Sequence, residues 1–219
     1  MENIREPVQS QYSIKLNTKQ FLNTFLKRGI DITFSLMGLL FLWPFFLFVA
    51  IRIKKEDPGP VFYRGERAGV GGRTFKILKF RTMYERPESY QGARVTAADD
   101  DRVTPLGRWL RDTKLNELPQ LLNVLKGDMS IIGPRPEIIQ QYEYYSDNIA
   151  GYRLRKLIPQ GITGWAQINF PHSSTIEGNT EKLKLDLYYI RNISFKTDFI
   201  IIYKTFLLII KGRISKFKY

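Results

Sequence analysis

One carboxylate, one amide and four cations carry the chemical interest of this sequence. Glu117 follows Asn116 in LNELPQLLNVLKGD, where Leu115, Leu118, Leu121, Leu122 and Leu125 recur at helical spacing. Pro119 suits a first turn, Lys126 a last turn and Gly127 a stop, so a short helix is predicted to begin near Asn116 and Glu117. The free N–H groups of a helix start attract phosphate, and a carboxylate there can also meet a metal ion. Together these are the parts of a phosphoryl-transfer centre. A local reading stands beside this one, in which Glu117 complements the helix dipole and Asn116 is an N-cap. Arg135 lies between Pro134 and Pro136. Two prolines fix the backbone there, so the guanidinium is aimed, either at a phosphate or at a structural ion-pair partner. Alternation along TFKILKFRT puts Lys79 and Arg81 on one strand face, able to contact a diphosphate or simply to be solvated. Arg111 lies a few residues before the helix start and projects toward the same place.

Other chemistries have little to work with. The chain has no Cys, which removes disulfides, thiolate nucleophiles and cysteine-ligated zinc, and its one histidine is His172. Acid–base work and metal binding fall to carboxylates, which favour a hard cation such as Mg²⁺. No glycine-rich phosphate loop or convincing DxD triplet is present, and Asp99-Asp100-Asp101, just ahead of Arg102, reads as a charged surface turn. Lys and Arg number 34 against 21 Asp and Glu, a net charge of +13. That excess calls for an anionic partner: nucleic acid, anionic lipid or phosphorylated substrate.

The elements that must position these residues begin with a membrane segment. Residues 1–26 form a polar N-terminal segment without the short apolar core of a secretory signal. From Ile32 to Ile51 no residue is charged, a length that matches a bilayer span of ~20 residues. Pro44 sits in the middle, and cations flank both ends: Lys27 and Arg28 before, Arg52, Lys54 and Lys55 after. A span carries its positive excess on one side. A re-entrant helix over 27–55, broken at Pro44 and returning to the same face, accommodates both flanks better than a kinked full span. A buried helix of a soluble core fits least, because few such helices are apolar on every side.

Residues 61–83 read as a β-hairpin with Gly69, Gly71 and Gly72 in its loop, and 84–101 as an exposed loop. IIGPRPE is predicted as a rigid extended segment, 137–157 as helix, 158–171 as turn-rich and 181–192 as a further helix. The apolar stretch from Phe199 to Ile210 would make a helix of about 18 Å, too short for a ~30 Å core. It suits an interfacial helix, with Tyr203 and Tyr219 at the headgroup level, as well as a helix buried in the protein. The expected fold is therefore α+β and mainly helical. It is that of a monotopic membrane protein with a Pro-broken re-entrant helix, a small β-hairpin and interfacial amphipathic helices. Residues 56–219 form the catalytic part, in a single domain with 27–55.

KFRTM, LRDTKLNELPQLLNVLKGDMSIIGPRPE, GITGWAQIN and LDLYYIRNIS, in this order, resemble the bacterial sugar transferase family, the monotopic phosphoglycosyl transferases, from about Lys27 to the chain's end. The resemblance implies a site facing the cytoplasm at the inner membrane. It implies transfer of a sugar-1-phosphate from a UDP-sugar to polyprenyl (undecaprenyl) phosphate, with Mg²⁺ and release of UMP, as the first membrane step of capsule, exopolysaccharide or O-antigen assembly. In that family an Asp of an Asp-Glu dyad attacks the β-phosphate. By position Glu117 is the dyad glutamate and Mg²⁺ contact, Arg111 and Arg135 match phosphate-binding arginines, and Lys79 falls in the KFRTM motif. The chain resembles a minimal member, without the extra transmembrane helices of larger ones.

This sequence departs from the family pattern at Asn116, which stands where the dyad has Asp. An amide is a poor nucleophile toward phosphate. Three readings follow: Glu117 is the nucleophile, transfer is direct, or Asn116 leaves a catalytically impaired membrane scaffold of the same fold. A nucleic-acid-binding protein, the other class that +13 suggests, has no use for the uncharged run. The loop near Phe170 to Thr180 is a candidate for sugar selectivity, but no physical rule converts it into a named sugar.

Overall fold

The computed structural model describes residues 18–86, 100–171 and 173–210. Residues 1–17, most of the loop read at 84–101, His172 and the basic tail with Tyr219 lie outside that set. The chain is mainly helical with two small sheets. Helix α1 spans Thr18–Glu56, starting well before the predicted Lys27, and 39 residues give it a length of about 58 Å. It is long and apolar enough to cross a membrane. Pro44 lies inside it. A proline deletes a single backbone donor, so the Leu40 carbonyl alone loses its helical partner.

One stripe of α1 is buried against the rest of the protein in two stretches. Lys27, Asp31 and Ser35 are buried in its first half, Val49 and Ile53 in its second. Val49 and Ile53 pack with Phe80 and Leu110, flanked by Phe45, Phe46 and Phe62. The opposite side exposes Phe25, Phe34, Leu36, Leu40, Phe41, Trp43 and Leu47. Water would not tolerate so large an apolar face; hydrocarbon would.

The predicted hairpin is present. β1 (Phe62–Ala68) and β2 (Thr74–Phe80) pair antiparallel around a 3₁₀ turn, with Gly71 at φ 61° and Gly72 at φ 85°, conformations that favour glycine. Helix α2 (Pro105–Asp112) starts at Thr104, whose hydroxyl accepts from the Gly107 N–H. A 3₁₀ turn (Leu115–Glu117), α3 (Gln120–Lys126) and β3 (Met129–Ile132) follow. β3 pairs parallel with β4 (Gln160–Thr163), a strand pair between segments that the sequence marked only as extended and turn-rich. The stretch expected as helix over 137–157 divides into α4 (Ile139–Asn148) and a 3₁₀ segment (Tyr152–Leu157), separated by Gly151 at φ 76°. α5 (Trp165–Asn169), α6 (Ile176–Arg191) and α7 (Phe195–Ile210) complete the fold. The largest core joins Tyr145, Tyr152, Leu183, Leu187, Tyr189, Ile190 and Ile201. α7 buries Ile201 and exposes Phe199, Ile202, Tyr203 and Phe206, an amphipathic division that fits an interfacial helix.

Candidate active site

Three motifs converge on Glu117. β2 presents Lys79, whose Nζ donates to Glu117 Oε1 at 2.6 Å. Arg135 donates to the same oxygen through Nη2 at 2.8 Å, and to Oε2 through Nη1 at 3.4 Å. Burial alone would raise the Glu117 carboxyl, but Arg135 and Lys79 outweigh it and hold the group well below the usual carboxylate range. Burial pushes the Lys79 ammonium down to about 8 against the pull of Glu117. The site thus holds two cations around one fully ionised carboxylate, with net positive charge facing any incoming phosphate.

Each member is held by its own element. The 3₁₀ turn that carries Glu117 closes through the Glu117 N–H donating to the Lys114 carbonyl. Lys114 itself has φ 61°, the one non-glycine with positive φ among the described residues. Left-handed backbone costs an L-residue roughly 1–2 kcal/mol, and here it lets the chain reverse between α2 and α3. Arg135 is set by an interlock of the GPRP and GITGW segments. The Gly133 N–H donates to the Thr163 carbonyl and the Gly161 N–H to the Pro134 carbonyl. A Cβ on Gly133 would lie 2.3 Å from the Pro159 carbonyl oxygen, so the glycine is required by backbone contact.

Asn123 joins α3 to the hairpin. Its Oδ1 accepts from the Leu78 N–H, and its Nδ2 donates to the Lys76 carbonyl and to Asp128. This amide bonds the edge of β2 opposite β1 as a neighbouring strand would, and so sets Lys79 against Glu117. The sequence reading missed Asn123; a polar residue between Leu122 and Val124 was the signal that could have found it.

Other predicted residues fall elsewhere or play different parts. The helix proper starts at Gln120, so Glu117 precedes it and Asn116 makes no capping bond. The N-cap reading of Asn116 is corrected by the 3₁₀ turn, which places Pro119 at the cap. Asn116 Oδ1 is instead buried without a hydrogen-bond partner. Arg81 is not brought to Glu117: it is 5 % exposed and its guanidinium bonds the Asp57 carboxylate and carbonyl and Glu85. It clasps the turn that follows α1. Arg111 Nε donates to Thr82 Oγ1 at 2.7 Å, at the end of the hairpin. Asp100 is ion-paired to Arg102, which accords with a surface turn.

Among the described residues no group of three carboxylate, His or Cys side chains is placed to hold a metal alone. Mg²⁺ does not demand one, because it keeps waters and shares substrate phosphates. The single long contact of Glu117 Oε2 leaves a hard carboxylate oxygen that fits such an ion, and Asn116, the preceding residue, carries a buried amide oxygen without a partner.

Residues 22–212 match the model of the bacterial sugar transferase family, and the chain belongs to that family. It is 40 % identical over 188 residues to a UDP-N-acetylgalactosamine-undecaprenyl-phosphate N-acetylgalactosaminephosphotransferase of Aeromonas hydrophila, covering 86 % of this chain and 44 % of that protein. It is 40 % identical over 200 residues to a UDP-glucose:undecaprenyl-phosphate glucose-1-phosphate transferase of Escherichia coli K12, covering 90 % and 42 %. An exopolysaccharide production protein of Rhizobium leguminosarum is also 40 % identical, over 185 residues, covering 82 % and 92 %. The chain thus spans less than half the length of the first two relatives and nearly all of the third.

Proposed function

We propose that this chain transfers a sugar-1-phosphate from a UDP-sugar to undecaprenyl phosphate at the cytoplasmic face of the inner membrane, releasing UMP. The observation that carries the proposal is Glu117 held between Lys79 and Arg135, within the motifs the family shares. The named relatives act on UDP-sugars and undecaprenyl phosphate but differ in the sugar, so likeness to them selects no sugar here.

Asn116 directs the mechanism toward a single displacement. An acyl phosphate needs a carboxylate with a basic lone pair aimed at phosphorus. Glu117 Oε1 is doubly engaged and the group is held at low basicity, while Asn116 has no charge to offer. Undecaprenyl phosphate is already an anionic nucleophile and needs no base to activate it. One of its oxygens attacks the β-phosphorus of the UDP-sugar, the bond from that phosphorus to the α,β-bridging oxygen breaks, and UMP departs. Lys79 and Arg135 offset the charge on the non-bridging oxygens as donor and acceptor, both anions, come together. Bound Mg²⁺ would supply further charge neutralisation on the diphosphate, held by Glu117.

The course of α1 supports a re-entrant placement. Lys27, near its start, pairs with Asp198 at 2.7 Å, and Glu56, at its end, accepts from the Leu106 N–H at 3.1 Å. One globular body touches both ends, so both ends belong on one side of the bilayer, although α1 runs on as helix through Pro44 rather than breaking there as the sequence predicted. Single cysteines placed at Thr18 and at Lys55 should both react with an impermeant maleimide from the cytoplasmic side. Labelling of one from the periplasmic side would sink this placement.

Initial-rate measurements of UMP release, with a panel of UDP-sugars, undecaprenyl phosphate and Mg²⁺, test the function and the mechanism together. The expected result is intersecting double-reciprocal lines, with no UMP released when the acceptor is left out. A stoichiometric burst of UMP without acceptor would show a covalent enzyme. Silence in wild type relieved by Asn116→Asp would show that the missing nucleophile is decisive, and would overturn direct transfer.

A further inference from the structure

Arg155 makes four bonds with one guanidinium, all beneath the segment that carries Arg135. Its Nε donates to Asp186 Oδ2 at 2.7 Å, Nη1 to the Tyr152 hydroxyl at 2.7 Å and to Glu137 Oε1 at 3.3 Å, and Nη2 to the backbone carbonyl of Arg135 at 3.2 Å. Arg155 and Asp186 are 2 % and 1 % exposed. Lys182 lies 3.7 Å from the same Glu137 oxygen and donates to Asn179 Oδ1. Two cations and two carboxylates balance one another within this island. Gln160 Nε2 also donates to the Arg155 carbonyl, tying the island to β4.

We infer that Arg155, oriented by Asp186, is a positioning residue for this site, acting through the Arg135 backbone to keep the Arg135 guanidinium on Glu117. The inference rests on the proposed function for its kinetic consequence only; its geometric content stands without it. A burial role alone would be served by apolar residues of similar volume at least as well, since buried ion pairs contribute little net stability. The Arg155 Nη2 bond from this island ends on the backbone of Arg135, the residue that reaches Glu117. A planar fork is needed to meet Asp186, Tyr152 and the Arg135 carbonyl together, which an ammonium cannot do.

Two measurements on the full-length protein in detergent test this. The first needs no activity: phenylglyoxal labelling of individual arginines, followed by peptide mass spectrometry. Arg155→Lys should label at Arg135 several times faster than wild type, as should Glu117→Gln, while exposed Arg153 should label at an unchanged rate. An unchanged Arg135 rate overturns the inference. Asp186→Asn, which keeps the side chain's shape, should show the same acceleration and serves if Arg155→Lys does not fold. The second is a double-mutant cycle on kcat/KM. Arg155→Lys should lower it by roughly tenfold to a hundredfold, the scale of one hydrogen bond to a charged group. In an Arg135→Ala background the same change should have almost no further effect, because the two act in series. Additive losses would mean that Arg155 supports the fold without positioning Arg135. Should wild type release no UMP at all, the function proposal fails while the labelling still decides this one.

Discussion

Glu117→Gln is expected to lower kcat/KM for UMP release by at least about a thousandfold, more than removal of a single preorganised donor usually costs an enzyme. The size follows from what the carboxylate does for its neighbours. Glu117 pairs with both Lys79 and Arg135, and its pull keeps Lys79 cationic despite burial, at about 8. An amide isostere keeps the shape and removes that pull, so the Lys79 ammonium loses its proton at a lower pH and the site sheds one of its two cations. It also removes the charged oxygen that would meet Mg²⁺. The pH profile carries the sign. In wild type kcat/KM is expected to fall as pH rises through about 8, because the free enzyme loses the Lys79 proton; in Glu117→Gln the fall should begin lower. A rate within about tenfold of wild type and an unshifted profile would remove Glu117 from the centre of the chemistry.

Asn123→Leu is expected to be the most destabilising single change near the site. Asn123 is buried, and its amide satisfies both the Leu78 N–H and the Lys76 carbonyl on the β2 edge. Leucine keeps the same branched skeleton, though larger, and offers neither bond. Each orphaned part-buried backbone group costs about 1–3 kcal/mol, so the pair amounts to roughly 2–6 kcal/mol. For a chain of this size that is a fall in melting temperature of about 10 °C in detergent. Asn123→Asp should lie between, since Oδ1 still accepts from Leu78 while the bond to Lys76 is lost and a second carboxylate faces Asp128. Transfer should fall with stability in the leucine variant even well below its melting point, because β2 carries Lys79. A variant that melts within about 2 °C of wild type would show that the hairpin is held by its own turn and by Phe80 packing instead.

The sequence by itself determined the membrane segment, the hairpin, the stop at Gly127 and the family. Each is written locally or in contiguous motifs: an uncharged run of bilayer length, glycines where φ turns positive, a run such as ELPQLLNVLKGDMSIIGPRP. It also named Lys79, Glu117 and Arg135, which the fold joins by ion pairs. What it did not separate was Lys79 from Arg81. Alternation puts both on one face of β2, but the strand ends at Phe80 and Arg81 turns to Asp57, which is brought near by the return of the chain after α1. Capping chemistry at Asn116 failed for a similar reason. Lys114 in the left-handed region inserts a 3₁₀ turn, and helical register begins only after Pro119.

Tertiary structure alone decided the supports. Arg155, Glu137 and Asp186 come from the 3₁₀ segment, the residue after GPRP and the middle of α6, and as single charges in the sequence they are indistinguishable from solvated ones. The parallel pairing of β3 with β4 depends on the crossing of Gly133 with Gly161, a contact between segments almost thirty residues apart. Local patterns record what a residue does to its own helix or strand. Which buried charges neutralise one another, and which carbonyl a guanidinium holds, depends on distances that exist only once the elements have packed.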